Sequence, residues 1–405
     1  MTDPLETFAV KSSGEPSPSY RPVPFSEETP GLLRHLLESK EQAIPTFSET
    51  LDYNLNGGLR RKTLIGIASS SGGGKTTFGW QLAQYIAENG RIEGDHTVPI
   101  PCMYISLEMA KSTLLEKALS RIGRIDGGEL SGRKWLTESN VDLKDEMLKN
   151  LVKANQRFTK IARNLRVLGV TEAAPGLMTI DDIRREAEAF LDTYTAHQEL
   201  TLMRDTPDPD EQEKLVSALE LPPQLVIFVD HLQLLSNTKD PTTNAYLPHD
   251  PAVSYDLKRL AVSLDCTVVA LSRMESEDVH PVIQGADMTA VLKTGYNLIE
   301  EKIKALEEES KEMKSEAAAP EEQEELKRER SGHERFRSQK PLQSEGNPIY
   351  ASLDIEKNRE GRTRDALFVW RRAFHEFEEV AVEEESRSLK RFLPWNSGGT
   401  ESGRE

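Results

Sequence analysis

Cysteine is almost absent from this chain. Two occur in 405 residues, Cys102 and Cys266. Each sits in an apolar, strand-like run, and neither belongs to a metal-ligand spacing, so the expectation is two buried thiols and no disulfide framework. Long apolar runs are also missing. No stretch approaches the ~20 residues that span a bilayer. Asp3 and Glu6 near the N-terminus have no long apolar core behind them, which is not the pattern of a signal peptide. The expectation is a cytoplasmic protein with no membrane partner. Positive charge is the third shortage: 51 Lys and Arg face 68 Asp and Glu, a net charge of −17. That argues against a bulk polyanion-binding surface and leaves at most a local basic groove.

What the chain does have is one concentrated glycine loop. Thr63 to Glu88 reads T-L-I-G-I-A-S-S-S-G-G-G-K-T-T-F-G-W-Q-L-A-Q-Y-I-A-E. Leu64 to Ala68 reads as a buried strand, Ser69 to Gly74 as a small-residue loop, and Lys75 onward as a helix with Phe78, Leu82, Tyr85 and Ile86 on one face. Asn89-Gly90 is a helix stop. Strand, glycine loop, Lys-Thr and helix is the order of a phosphate-binding loop. Glycines let backbone N–H groups turn toward a phosphate, and the helix N-terminus adds partial positive charge. Ser69, Ser70, Ser71, Gly72, Gly73, Gly74, Lys75, Thr76 and Thr77 are therefore the expected nucleotide contacts. Lys75 is placed on the β- and γ-phosphates of ATP and the Thr76 hydroxyl on Mg²⁺. The pattern G-x-x-x-x-G-K-[ST] wants glycine where this chain has Ser69. A glycine-rich turn before an ordinary helix is the plainer reading of the same residues.

Apolar runs recur at Thr63–Ala68, Cys102–Leu107, Leu165–Val170, Leu225–Val229 and Thr267–Leu271, separated by helical patterns such as Ser112–Arg124 and Ile180–Leu191. This predicts an α/β fold: a mainly parallel sheet covered by helices on both faces, with ligands at the carboxyl ends of the strands. Tyr350–Glu356 and Ala366–Trp370, around a turn at Asn358–Thr363, predict a C-terminal β-hairpin. Residues 1–30 read as a disordered arm and 31–44 as a short linker helix carrying Leu32, Leu33, Leu36 and Leu37. The ATPase domain is expected over 45–380 and a flexible tail over 381–405. Two stretches read as insertions, polar 192–221 and charged 300–346. Leu292, Tyr296, Ile299, Ile303, Leu306 and Met313 follow a heptad-like spacing that predicts a projecting helix or short coiled coil. The charged stretch reads either as a partner-binding arm or as a solvated insertion.

Two carboxylates end buried strands. Asp230 closes L-V-I-F-V-D, the pattern of a strand whose Asp holds the Mg²⁺ hydration shell. Glu108 follows C-M-Y-I-S-L, where a general base could orient the attacking water; a carboxylate favoured by a helix dipole is the plainer alternative. S-L-E-M at Ser106–Met109, V-D-H-L-Q-L-L at Val229–Leu235, V-V-A-L-S at Val268–Ser272 and E-K-N-R-E-G at Glu356–Gly361 follow the glycine loop in that order. F-S-E-T-L-D-Y-N-L-N-G-G-L precedes it, and A-P-G-L-M-T-I-D-D-I lies between. This ordered set resembles the RecA-fold motor domain of the DnaB-type replicative helicases, over roughly residues 45 to 380.

The resemblance implies a homo-oligomeric ring, a hexamer, with ATP at each subunit interface and single-stranded DNA as partner. It implies Glu108 as catalytic base, Asp230 with Thr76 on Mg²⁺, and Lys357 and Arg359 reaching a neighbour's γ-phosphate. Read from sequence alone, Lys357 and Arg359 are also two solvated turn cations. Arg273 stands where the family usually has a glutamine that senses the γ-phosphate. Ser236–Pro251 and Glu275–Gly285, the expected channel loops, set Lys239 against Asp240, Asp250, Glu275, Glu277 and Asp278, whereas a single-strand channel needs basic and stacking groups. Two alternatives stay open: an ATPase switch of the recombinase or circadian-clock type that unwinds nothing, and an ATP-binding scaffold that recruits a protein partner through 300–346.

Overall fold

The apolar strands alternate in the faces they bury, and both faces are dry. Ile65, Ile67, Tyr104, Val226, Phe228, Val269 and Leu271 enter one core, while Leu64, Met103, Ile105, Ile227, Val229, Val268 and Ala270 enter the other. Strands buried on two sides read as continuous apolar runs, which is why they are visible in the sequence. The computed structural model describes residues 43–93, 96–132, 141–169, 178–205, 223–235, 252–274, 285–299, 301–304 and 348–379, with positions 29, 208 and 333. All elements below belong to the compact unit Gln42–Glu405; of the unit Met1–Glu41 only Thr29 is described. Apart from Thr29, the expected N-terminal arm, the linker helix up to residue 42, and the C-terminal tail from 381 therefore lie outside the described residues.

Chain order begins with α1 (Glu49–Asn54), β1 (Thr63–Ser69), α2 (Lys75–Asn89), and a short hairpin, β2 (Arg91–Glu93) with β3 (His96–Val98). It continues through β4 (Cys102–Ser106), α3 (Lys111–Gly123), α4 (Gly127–Gly132), α5 (Val141–Ile161), β5 (Leu165–Gly169) and α6 (Ile180–Asp205). Then come β6 (Val226–Asp230), α7 (Val253–Ser263), β7 (Thr267–Arg273), β8 (Met288–Gly295), β9 (Pro348–Asn358), β10 (Ala366–Arg371) and β11 (Glu376–Glu379). The sheet runs β11-β10-β9-β8-β1-β7-β6-β4-β5. From β8 to β5 all neighbours are parallel; β9, β10 and β11 extend the β8 edge antiparallel. Helix α2 packs in the first core and α6 and α7 in the second. The α/β expectation and the C-terminal hairpin are both present.

Three expectations change. The heptad-like helix does not begin at Leu292, which lies in β8, a strand the sequence reading missed. Its apolar spacing of i, i+4, i+7 spans a strand and a bend before any helix starts. The helical residues 298–299 and 301–304 do not project: Ile299 and Ile303 are buried with Leu367 and Val369. Leu306 and Met313 lie outside the described residues. Second, α6 continues to Asp205, so the first part of the polar 192–221 stretch is the end of a helix. Third, the charged stretch contributes buried and half-buried groups. Lys302 lies 2.7 Å from Asp354 and also pairs with Asp365. His333 is buried, and burial pushes it down to about 4. Both cysteines are buried free thiols. No helix among the described residues is long and apolar enough to cross a membrane.

The β9–β10 turn is fixed by α1. Asn54 accepts from Arg362 N through its backbone oxygen at 3.2 Å and from Asn358 Nδ2 at 2.9 Å, and its own amide donates to Arg364 O at 2.7 Å. Arg362 stacks over Tyr53, 4.2 Å from the ring centroid. Gly361 passes so close that a Cβ there would stand 1.8 Å from Asn54 O. The neighbour is backbone and cannot swing aside. Gly361→Ala should therefore destabilise the protein by about 1–3 kcal/mol, the cost of overpacking. A denaturant midpoint equal to that of the parent would contradict this.

Candidate nucleotide site

The site stands where β1, β4, β6 and β7 end. Gly72 and Gly74 take left-handed φ of 77° and 88°, a region β-carbons avoid, and Gly74 is the N-cap of α2 with no side-chain cap. The first N–H groups of α2 are thus left for an anion. Ser69 stands where the pattern has glycine and faces Gly73: a Cβ on Gly73 would meet Ser69 Oγ at 3.0 Å, a tight contact. The loop also rests on an aromatic floor. Trp370 and Phe377 stack with centroids 5.1 Å apart, and a Cβ on Gly74 would stand 2.8 Å from Phe377 Cζ. These two rings come from the far edge of the sheet, and sequence spacing gave no sign of them.

Lys75, Thr76 and Thr77 open α2 and are buried. Asp230, at the end of β6, is 1% exposed. Its Oδ2 accepts from the Tyr104 hydroxyl at 3.0 Å, and its Oδ1 is buried with no partner. Burial pushes Asp230 above the usual carboxylate range; hydrogen bonds with Thr76 and Tyr104 and the charge of Lys75 act against it. A buried carboxylate with one orphaned oxygen beside a threonine hydroxyl fits a hard divalent cation. Asp230 and Thr76 would hold Mg²⁺, and the ion would neutralise charge on bound phosphates. Tyr104 itself escaped the sequence reading. Its signal was a hydroxyl-bearing aromatic inside an otherwise apolar strand, which must find a polar partner when buried.

Glu108 lies just past β4, with its side chain 54% exposed and Oε2 3.5 Å from His231 Nε2. It is open to the space above the strand ends, whereas Asp230 is enclosed. His231 is pushed below its usual range by burial, and the Lys75 charge acts the same way. Arg273 ends β7 in register with Ser69, exposed, and Met274 N donates to Ser69 O at 2.9 Å. Lys75, Thr76, Asp230, Glu108 and Arg273 therefore share one edge of the sheet.

Lys357 and Arg359 do not join them. Strand β9 is antiparallel to β8 and pairs Asn358 with Met288, and Arg359 N donates to Asp287 O at 3.0 Å. Asp287 in turn accepts from Leu64 N at 2.8 Å, at the start of β1. The two cations thus stand at the amino ends of the parallel strands. The length of β1, roughly 20 Å at ~3.3 Å per residue, separates them from their own glycine loop. Lys357 Nζ donates to Ala286 O at 2.7 Å, and the 53%-exposed Arg359 side chain lies 3.6 Å from Asp287.

If Asp230 is a cation ligand oriented by Tyr104, then Tyr104→Phe should keep the fold, since the ring packs between Trp80 and Phe228. It should weaken Mg²⁺-dependent nucleotide binding by about 10–100-fold, the range for losing an outer partner of a metal ligand. Titrating Mg²⁺ against a fluorescent ATP analogue measures this, and an unchanged Mg²⁺ requirement would remove Tyr104 from the site.

Residues 43–181 match the family model described as DnaB-like helicase C terminal domain. Among solved structures, an ATPase domain aligns with a TM-score of 0.54 at 15% identity, over 89% of this chain and 100% of that one. A DnaB-like replicative helicase, solved in a study of its interactions with primase, aligns with a TM-score of 0.51 at 16% identity, over 89% of this chain and 68% of that one. At such identities the likeness speaks for the fold. No curated protein matches the sequence. The matched segment contains the glycine loop, Tyr104 and Glu108, and the sheet places Asp230 beside them: over residues 43–181 the chain is similar to the DnaB-like helicase C terminal domain, and it shares the α/β fold of these solved structures.

Proposed function

We propose that this domain is a DnaB-type helicase motor that hydrolyses ATP with Mg²⁺ at the interfaces of a homo-oligomeric ring, hexameric by resemblance, and moves on single-stranded DNA. One observation carries the shared-site part of this reading. The phosphate-binding groups and the Lys357–Arg359 pair stand at opposite ends of one sheet. A cation so placed is useless to its own phosphates and well placed for a neighbour's. In this reading Lys75 and the loop 69–77 hold the phosphates, Thr76 and Asp230 hold Mg²⁺, and Glu108 takes a proton from the attacking water. Arg273 faces the γ-phosphate side, and Arg359, with Lys357, offsets charge on the transferring phosphoryl group of the adjacent subunit.

A switch that hydrolyses ATP without unwinding is favoured by a different observation, the scarcity of cations in residues 236–251 and 275–285. The two readings part in a forked-duplex unwinding assay beside ATPase measurements with and without single-stranded DNA. The motor reading expects unwinding and DNA-stimulated hydrolysis, with binding weakened by salt as counterions are released. No stimulation at low salt with assembled rings would support the switch.

The exposed Glu108 carboxylate is the base in either reading. Glu108→Gln should still bind ATP and turn over at least about 100-fold more slowly, the usual scale for a lost general base. Parent-like turnover in Glu108→Gln would take it out of the mechanism.

A further inference from the structure

The last carbonyls of a helix have no partner inside it. At the end of α1 three of them are answered locally: Leu51 O accepts from Leu55 N at 3.0 Å, Asp52 O from Gly57 N at 2.7 Å, and Tyr53 O from Asn56 N at 3.3 Å. The fourth, Asn54 O, is answered from some 300 residues away, by Asn358 Nδ2 at 2.9 Å and Arg362 N at 3.2 Å. The Asn54 side chain goes the same way. It belongs to a residue with 0% exposure, and a buried carboxamide needs partners for both its ends. Its Nδ2 donates to Arg364 O at 2.7 Å, and its Oδ1 accepts from Arg364 N at 3.3 Å. A carboxamide can answer the N–H and the C=O of one residue together; an ionised carboxylate only accepts, and an apolar side chain does neither.

These bonds bracket Arg359. Asn358 precedes it, and Arg362 and Arg364 follow it, all three held on the one residue of α1. On the other flank Arg359 N donates to Asp287 O at 3.0 Å. Asn358 Nδ2 also reaches across the turn to Arg362 O at 2.9 Å, and Asn56 Nδ2 donates to Glu360 O. The backbone under Arg359 is therefore fixed while its side chain stays 53% exposed. Helix α1 is itself tied down at its opposite end. The Glu379 carboxylate, closing β11, accepts from Ser48 Oγ at 2.8 Å, Glu49 N at 2.6 Å and Thr50 N at 3.1 Å. The helix thus joins the turn to the sheet as a rigid strut.

We propose that Asn54 is a positioning residue for ATP hydrolysis in the adjacent subunit. It seats residues 358–364 on the end of α1 and so sets where Arg359 meets the neighbour's γ-phosphate, an assignment that rests on the shared-site reading. Asn54 touches no nucleotide and acts through Arg359 alone. A reacting group displaced by about 1 Å can cost roughly 10²-fold in rate, so the seat matters as much as the charge. A residue that merely braces the fold would harm both contributions of its subunit, the glycine loop and the finger. A residue that seats the finger harms the finger and leaves the loop able to bind and hydrolyse ATP when a sound neighbour supplies the arginine.

The test is complementation in mixed assemblies of the full chain. Asn54→Ala should lower kcat by roughly 10–100-fold, with affinity for a fluorescent ATP analogue close to the parent's. Mixed with Lys75→Ala, whose finger is intact, it should regain activity well above the weighted mean of the two. Mixed with Arg359→Ala it should regain none, because both partners then lack a working finger. Asn358→Ala removes the donor to Asn54 O from a residue that is only half-buried, and it should fall in the same class; it carries the test if Asn54→Ala does not fold. Parent-like kcat in both variants would overturn the assignment. So would rescue by Arg359→Ala, which would place the damage in the glycine loop, or no rescue by Lys75→Ala while the control mixture of Lys75→Ala with Arg359→Ala recovers. If that control itself fails to recover after subunit exchange, the shared-site reading is overturned, and this assignment with it.

Discussion

A parallel sheet buried on both faces leaves polar chemistry only its strand ends. Here the constraint is severe, because α2 covers one face and α6 with α7 the other, and the central strands admit almost nothing charged. Asp230 is the exception that shows the rule: it closes an apolar run, is 1% exposed, and has one oxygen unpartnered. Burying a carboxylate without a counter-charge is expensive. Lys75, Thr76 and Tyr104 offset part of that cost, and a divalent cation would offset the rest. Much of the site follows from satisfying that one group.

In the proposed ring, the same sheet would let one subunit serve two sites. The antiparallel edge β9–β10–β11 runs the full depth of the domain. At one end Trp370 and Phe377 pack directly under Gly74 of the glycine loop. At the other, Asn54 and Gly361 clamp the turn that carries Arg359. The turn is held rigidly, yet Arg359 keeps half its side chain in solvent, with Asp287 beside it. Exposure, charge and a fixed base are what a group needs if it is to reach across an interface.

Much of this was legible in the sequence because the physics is local. The glycine loop, the apolar strands closed by Asp230 and Glu108, and the turn at Gly361 each announce themselves within a few residues. Strand β8 did not. Its alternation Met288, Ala290, Leu292 is short, and the apolar residues after it mimic a helical repeat, so Leu292 reads as the start of a helix. The reach of α6 to Asp205 was missed because polar composition in 192–205 resembles a loop as much as a solvated helix end. Tyr104 meets Asp230, Gln233 meets Ser272 and Arg273, and the Trp370–Phe377 floor meets Gly74, all partners far away in the chain that no spacing rule connects. Gly73 belongs with them: it faces Ser69 closely, a relation visible only once the loop is folded.

The central claim is that ATP is hydrolysed by residues from two subunits, and mixing two inactive variants tests it most directly. Arg359→Ala keeps the glycine loop and loses the finger; Lys75→Ala loses the loop and keeps the finger. After subunit exchange is confirmed, the ATPase rate is followed against mixing ratio. Arginine fingers supplied in trans are worth about 10³–10⁵ in rate, so mixed rings should recover activity well above either variant alone, with a maximum at intermediate ratios. Exchanged mixtures that never exceed the sum of the two separate variants would contradict the shared site, as would full hydrolysis by a protein that stays monomeric with ATP, Mg²⁺ and DNA.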